Sequence, residues 1–234
     1  MLLLIETSTD ICSLAIAKIE GNVIASWELE DPKSHSEYLT LIIESLLKTL
    51  AIEKSAIKAI AVSIGPGSYT GLRIGVSVAK GLAYATSCPL IGIPTLVALA
   101  QGGVQLIPHL RTEEWVFIPM LDARRNEVYY AVLDFEGNLL QPFAAQVVDE
   151  MFLRMLPTEK KWCFLGNGST KVFPLLLERG LCISNYFVLP LTCSARYMAK
   201  LAADSYQRGI FENIYTLEPL YLKSFGTTTP KPRL

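Results

Sequence analysis

The chain has 234 residues, 51% of them apolar and 18% charged, with 15 glycines and 13 prolines. That composition excludes a disordered, collagen-like or coiled-coil protein and leaves length for one or two domains. The 21 Lys+Arg against 22 Asp+Glu give a net charge of −1, so there is no basic surplus of the kind that grips nucleic acid unaided.

Residues 2–5 and 11–18 are apolar, β-rich runs, and 23–29 is a third after the turn Glu20-Gly21-Asn22. Residues 35–50 repeat apolar side chains at Leu39, Ile42, Ile43, Leu46, Leu47 and Leu50, a helical pattern. A buried strand is predicted at 59–64, ending in Gly65-Pro66-Gly67, followed by a helix over 71–85 and a strand at 90–93. The stretch 81–110 carries no formal charge, but Pro89, Gly92, Pro94, Gly102 and Gly103 cut it below the ~20 apolar residues of a membrane-crossing helix. Strands recur at 115–121 and 127–133. Five cysteines without a CxxC pair, and an opening MLLLIETSTD without a basic leader, read as a soluble cytoplasmic protein with reduced thiols and no membrane contact.

The halves repeat. At an offset of 116, Glu6 falls on Asp122, and Glu20-Gly21-Asn22-Val23-Ile24 on Glu136-Gly137-Asn138-Leu139-Leu140. At 101, Ile64-Gly65-Pro66-Gly67-Ser68 falls on Leu165-Gly166-Asn167-Gly168-Ser169. Two copies of acid-tipped strand, hairpin, helix and glycine loop resemble the actin-like (ASKHA, ribonuclease H-like) α/β fold. Lobes are expected near 1–104 and 105–234, with the last helix free to pack back on the first lobe. In that fold the two first hairpins face each other across a cleft, with the glycine loops nearby.

The sharpest local signal is Gly65-Pro66-Gly67-Ser68-Tyr69-Thr70-Gly71-Leu72-Arg73, where glycines permit close approach and Ser68 or Thr70 can cap the following helix. It lacks the Lys-Ser/Thr pair of a Walker A loop. In that helix Gly71, Gly75 and Ala79 form a smooth strip, read either as a path for a partner helix or as packing within the monomer. The only histidines, His35 and His109, stand 74 residues apart, which excludes an HExxH-type metal site; both are expected at the surface or capping. Glu6 and Asp122 stand where actin-like ATPases hold acids, but Glu6-Thr7-Ser8-Thr9 and Asp122-Ala123-Arg124-Arg125 lack a phosphate-loop glycine. Glu6, Thr7, Ser8, Gly65, Asp122, Arg124, Gly166 and Gly168 therefore outline a vestigial nucleotide cleft, or an internal ion network of Glu6, Asp122, Arg124 and Glu127.

These residues resemble the TsaB (YeaZ) family: Ile5-Glu6-Thr7-Ser8-Thr9, His35-Ser36-Glu37, the loop Gly65 to Gly75 with Tyr69 for the usual Phe, and Asp122 to Tyr129. The resemblance covers roughly residues 1–135, fades over 141–161 and returns weakly near Gly166-Asn167-Gly168 and in a C-terminal helix expected near 195–207. It implies a non-catalytic subunit that pairs with a TsaD-like transferase and works with a TsaE-like ATPase to form threonylcarbamoyladenosine beside the tRNA anticodon. Transfer RNA would be met through the complex, and the isolated chain would be a homodimer. No catalytic residue, metal or required cofactor is implied, with weak ATP or ADP binding allowed. The alternative is an independent actin-fold ATPase or small-molecule kinase. The partner face would use His35, Tyr38, Leu39, Ile42 and Leu46, then Gly67, Ser68, Tyr69, Thr70, Gly71, Leu72 and Arg73. Gly75, Ser77, Val78, Ala79 and Leu82 would complete it.

Overall fold

The computed structural model describes residues 1–30 and 34–223. The first half runs β1 (Leu2–Glu6), β2 (Ile11–Ala17), β3 (Val23–Glu30), α1 (Ser34–Glu37), α2 (Leu39–Thr49), β4 (Ala59–Gly65), α3 (Tyr69–Thr86), β5 (Leu90–Pro94) and α4 (Thr95–Leu106). The second runs β6 (Trp115–Asp122), β7 (Glu127–Leu133), β8 (Leu139–Val147), α5 (Glu150–Met155), β9 (Lys161–Leu165), α6 (Phe173–Glu178), β10 (Tyr186–Leu189) and α7 (Ala199–Gln207). Five-stranded sheets form in the orders β3-β2-β1-β4-β5 and β8-β7-β6-β9-β10. In each, the first three strands are antiparallel and the last two join in parallel.

This is one topology used twice, a duplicated actin-like fold, and its register follows the sequence offsets. β2 and β7 are displaced by 116 residues, and their hairpins turn at Gly21 (φ +90°) and Gly137 (φ +91°). Both values lie in the left-handed region that glycine enters without a Cβ clash.

Helices cover both faces of each sheet, so the central strands are apolar on both sides rather than alternating with polar residues. Leu3 and Ile5 of β1 face Leu39, Ile43 and Leu47 of α2 with Val76, Ala79 and Ala83 of α3. Leu2 and Leu4 face the opposite way, onto Met198, Ala199, Ala202 and Ala203. In the second sheet Val116, Ile118 and Met120 meet Phe152, Leu153 and Leu176, while Phe117 and Leu121 meet Leu96, Leu99, Ala100 and Val104 of α4. The last helix of each half thus lies on the other half's sheet. The two sets of crossing residues also pack on each other, with the Tyr197 ring so close over Gly102 that a Cβ there would stand 2.6 Å from it.

The helix predicted over 35–50 is broken at Tyr38 (φ −119°, ψ −16°), because the first turn is drawn toward the β1–β2 loop by His35, whose Nε2 donates to Thr9 O at 2.7 Å. After α7 the chain forms a strap. Glu212 N donates to Leu90 O on the edge of β5 (2.8 Å), Leu217 O accepts from Lys80 of α3 (3.2 Å), and Leu220 N donates to Ile64 O (2.6 Å). Lys223 then forms an ion pair with Glu127 of β7. Among the described residues no helix is long and apolar enough to cross a membrane.

Candidate functional site

The glycine loop between β4 and α3 is moulded onto the β1–β2 loop. Ser68 N donates to Ser8 O at 2.6 Å, and a Cβ on Gly67 would collide with that same carbonyl. Thr7 Oγ1 donates to Gly71 O at 2.8 Å, and side chains at Gly71 or Gly75 would strike Thr7. Gly65 combines φ +107° with Leu220 O of the strap 2.7 Å from its Cβ position. Ser68 caps α3, its Oγ accepting from Gly71 N at 3.3 Å. The strip Gly71, Gly75 and Ala79 therefore faces inward onto Thr7 and the sheet. It is not open to a partner helix, because the space above it is already filled.

The outward faces are different. Thr70, Arg73 and Ser77 are exposed on α3, with Tyr69, Val78 and Leu82 half-buried; on α2 Tyr38 is exposed, Ile42 and Leu46 half-buried, and Leu41 59% exposed. Gly67 is half-buried and Ser68 exposed, both lining the cleft described below. The expected partner residues His35, Leu39, Gly71, Leu72, Gly75 and Ala79 are buried and belong to the core. His35, expected at the surface or as a cap, is 5% exposed, because its ring is wedged beside Gly71 under the β1–β2 loop.

Between the lobes lies a cleft of about 690 Å³. Its first-lobe wall carries Ser8, Asp10, Ser68 and Tyr69; its second-lobe wall carries Asp122, Arg124, Arg125 and Asn167; the strap closes one side with Tyr221 and Lys223. The outlined cleft residues divide here: Ser8, Asp122 and Arg124 line it, whereas Glu6, Thr7, Gly65, Gly166 and Gly168 do not reach its surface. Glu6 and Asp122, aligned by the repeat, do not form an acid pair. Glu6 is 1% exposed, and its Oε1 accepts from Ser8 N (2.6 Å) and Ser63 Oγ (3.0 Å). Burial raises its pKa against the lowering effect of those hydrogen bonds. Burial, with the Glu6 carboxylate adding to it, likewise pushes the Cys193 thiol well up.

Asp122 is exposed and pairs with Lys171 Nζ at 2.7 Å, while Glu127 pairs with Lys223, which holds its carboxyl below the usual range. The anticipated network of Glu6, Asp122, Arg124 and Glu127 is thus replaced by two lysine pairs and a hydroxyl-and-amide cage around Glu6. Lys171, Tyr221 and Lys223 are site residues absent from the sequence expectations: Lys171 stands two residues beyond the repeated Leu165–Ser169 loop, and Tyr221 and Lys223 lie in a segment without periodicity or motif. Tyr221 packs at a tilt against Tyr69 (centroids 4.9 Å apart, planes at 43°) and accepts from Arg73 Nε at 3.2 Å, while the Arg73 guanidinium sits 3.9 Å from the Tyr69 ring centroid. Among the described residues no group of three or more His, Cys, Asp or Glu is placed to hold a metal.

Comparison with known proteins agrees with this architecture. Residues 29–226 match the family model described as TsaD: tRNA N6-adenosine threonylcarbamoyltransferase. The tRNA threonylcarbamoyladenosine biosynthesis protein TsaB of Escherichia coli (strain K12) is 31% identical over 233 residues, covering 95% of this chain and 94% of that one. The solved structure of YeaZ from Pseudomonas aeruginosa superposes with a TM-score of 0.77 at 27% identity, over 94% of this chain and 99% of that one. By contrast, a tRNA N6-adenosine threonylcarbamoyltransferase of Anoxybacillus flavithermus (strain DSM 21510 / WK1) is 38% identical over only 38% of this chain and 30% of its own. The end-to-end correspondence is with TsaB, and the chain belongs to the TsaB (YeaZ) family.

Proposed function

We infer that the chain is the accessory subunit that supports a TsaD-type transferase in tRNA threonylcarbamoyladenosine biosynthesis, without supplying a catalytic residue or requiring a cofactor. The observation that carries this reading is the near full-length likeness to TsaB of Escherichia coli, set against a likeness to the transferase of Anoxybacillus flavithermus over 38% of this chain and 30% of that one. The half-exposed apolar face of α2 and α3, with Leu41, Ile42, Leu46, Val78 and Leu82, supports pairing with the partner's corresponding helices and self-association when the chain is alone. A TsaE-type ATPase completes the assembly, and tRNA is met through the complex. The cage around Glu6 gives no support to the rival reading, an independent ATPase or kinase, since its buried carboxyl is held by Ser8 N and Ser63 Oγ and does not line the cleft.

Reconstitution tests the assignment. The purified chain with cognate TsaD-type and TsaE-type proteins, ATP, threonine, bicarbonate, the enzyme that makes the threonylcarbamoyl adenylate, and unmodified tRNA should yield the modified adenosine. Mixtures lacking the chain should yield little. Equal yields with and without the chain would refute the reading. So would Mg-ATP turnover by the chain alone that Asp122→Ala abolishes.

A further inference from the structure

Arg73 is exposed on α3, yet its side chain is held in place. The Tyr69 ring centroid lies 3.9 Å from its guanidinium carbon, and its Nε donates to the Tyr221 hydroxyl at 3.2 Å. Tyr221 belongs to the strap and is fixed in turn by the bond from Leu220 N to Ile64 O (2.6 Å). Both Nη groups of Arg73 nevertheless lack an acceptor, and the residue forms no ion pair among the described residues. It does not line the cleft between the lobes. Beside it on α3 run Ile74, Val78 and Leu82, half-buried apolar side chains continuous with the outward face of α2.

Gly81 stands two turns further along α3, about 12 Å from Arg73 at 1.5 Å per residue. A glycine inside a helix lowers stability against alanine, because its unfolded backbone is freer and it adds no packing. Gly71 and Gly75 have a local cause, since a Cβ at either would strike Thr7. Gly81 has none: it is exposed, and a Cβ there would meet nothing within 4 Å among the described residues. It shares one exposed row with Arg73, with Ser77 between them at the same fourth-residue spacing.

These two observations call for different things from one occupant. A guanidinium whose two Nη groups are unpaired matches a carboxylate, and holding it beforehand spares the ordering entropy that binding otherwise loses. A bare stretch of helix backbone flanked by apolar side chains matches a second helix packed at short axial distance. We propose that α3 receives a helix of the TsaD-type transferase, which passes over Gly81 while one of its carboxylate side chains takes the Nη groups of Arg73, an inference that rests on the accessory-subunit reading. Tyr221 is then a positioning residue: the strap holds the arginine for the partner.

The test is the affinity of the full chain for its cognate TsaD-type transferase, measured by calorimetric titration at physiological salt. The parent should bind saturably, and Arg73→Ala and Gly81→Leu should each bind at least roughly tenfold more weakly. Circular dichroism and urea unfolding of each isolated variant should show a folded chain. Arg73→Lys should not restore the affinity, because an ammonium lacks the planar fork. Gly81→Ala should raise the urea midpoint of the isolated chain while weakening the pairing, and it carries the expectation should Gly81→Leu not fold. A parent that binds, with Arg73 and Gly81 variants that match it, overturns this docking row and leaves the accessory-subunit reading standing. Variants that change only self-association, followed by sedimentation of the chain alone, make the occupant a second copy and overturn it as well. A parent that does not bind the transferase overturns both.

Discussion

Thr7 lies over the first turns of α3, its hydroxyl hydrogen-bonded to Gly71 O and its side chain occupying the volume that a Cβ on Gly75 would need. Gly75→Leu is therefore expected to destabilise the monomer by about 3 kcal/mol or more, since the obstruction belongs to a fully buried side chain that cannot swing away. Urea unfolding of the isolated chain checks this. Glu6 gives a pH-dependent expectation. Its folded pKa is raised above the ordinary value of 4.5, so the native state binds more protons than the unfolded chain as pH rises from that value through the folded pKa. Native stability contributed by this group falls over that interval. Glu6→Gln keeps an oxygen to accept from Ser8 N and Ser63 Oγ, and its stability relative to the parent should improve between pH 4.5 and neutrality. A difference in urea midpoint that stays flat with pH would contradict the assigned cause. The spacing of glycines was enough to announce a close approach at this loop, but not what approaches: Thr7 and Ser8 are some sixty positions away, and only the pairing of β1 with β4 brings them there.

At the scale of elements, the strands were legible where they pair centrally and the repeat enforces them. β7 spans the predicted 127–133, and β2 lies one residue short of the predicted 11–18. The stretch over 141–161 was not, because β8 is an edge strand with mixed exposure and α5 has six residues, too few to display a helical period. The strap was invisible for a related reason: it is held by individual carbonyls, a tilted ring contact and an ion pair rather than by any periodic face. Its contributions can be ranked. Lys223 and Glu127 have side chains 33% and 37% exposed, so Lys223→Ala should cost less than about 1 kcal/mol. Tyr221→Ala, losing the Tyr69 contact and the Arg73 hydrogen bond, should cost about 1–2 kcal/mol in the same denaturation assay. On the outward face of α2, Leu41→Glu alters a residue 59% exposed and should leave stability within about 0.5 kcal/mol. If that face meets the transferase, the same change should abolish co-purification with it; retained pairing would move the interface elsewhere.

Across the whole molecule, the two sheets are contiguous in sequence while their covering helices are exchanged. α4 fills the second half's core, and Ala195 to Ala203 cover Leu2, Leu4, Ile91 and Ile93 of the first. A fragment ending near residue 110 would expose that apolar face and should show no cooperative unfolding transition by circular dichroism, although it contains a complete five-stranded sheet. The exchange also sets a timetable on the ribosome. At about 5–20 residues per second, translation needs roughly 5 to 20 seconds to travel from Pro94 to Ala203. Throughout that interval the nascent first sheet has one greasy side uncovered, and a holdase that shields emerging chains would find its customer there.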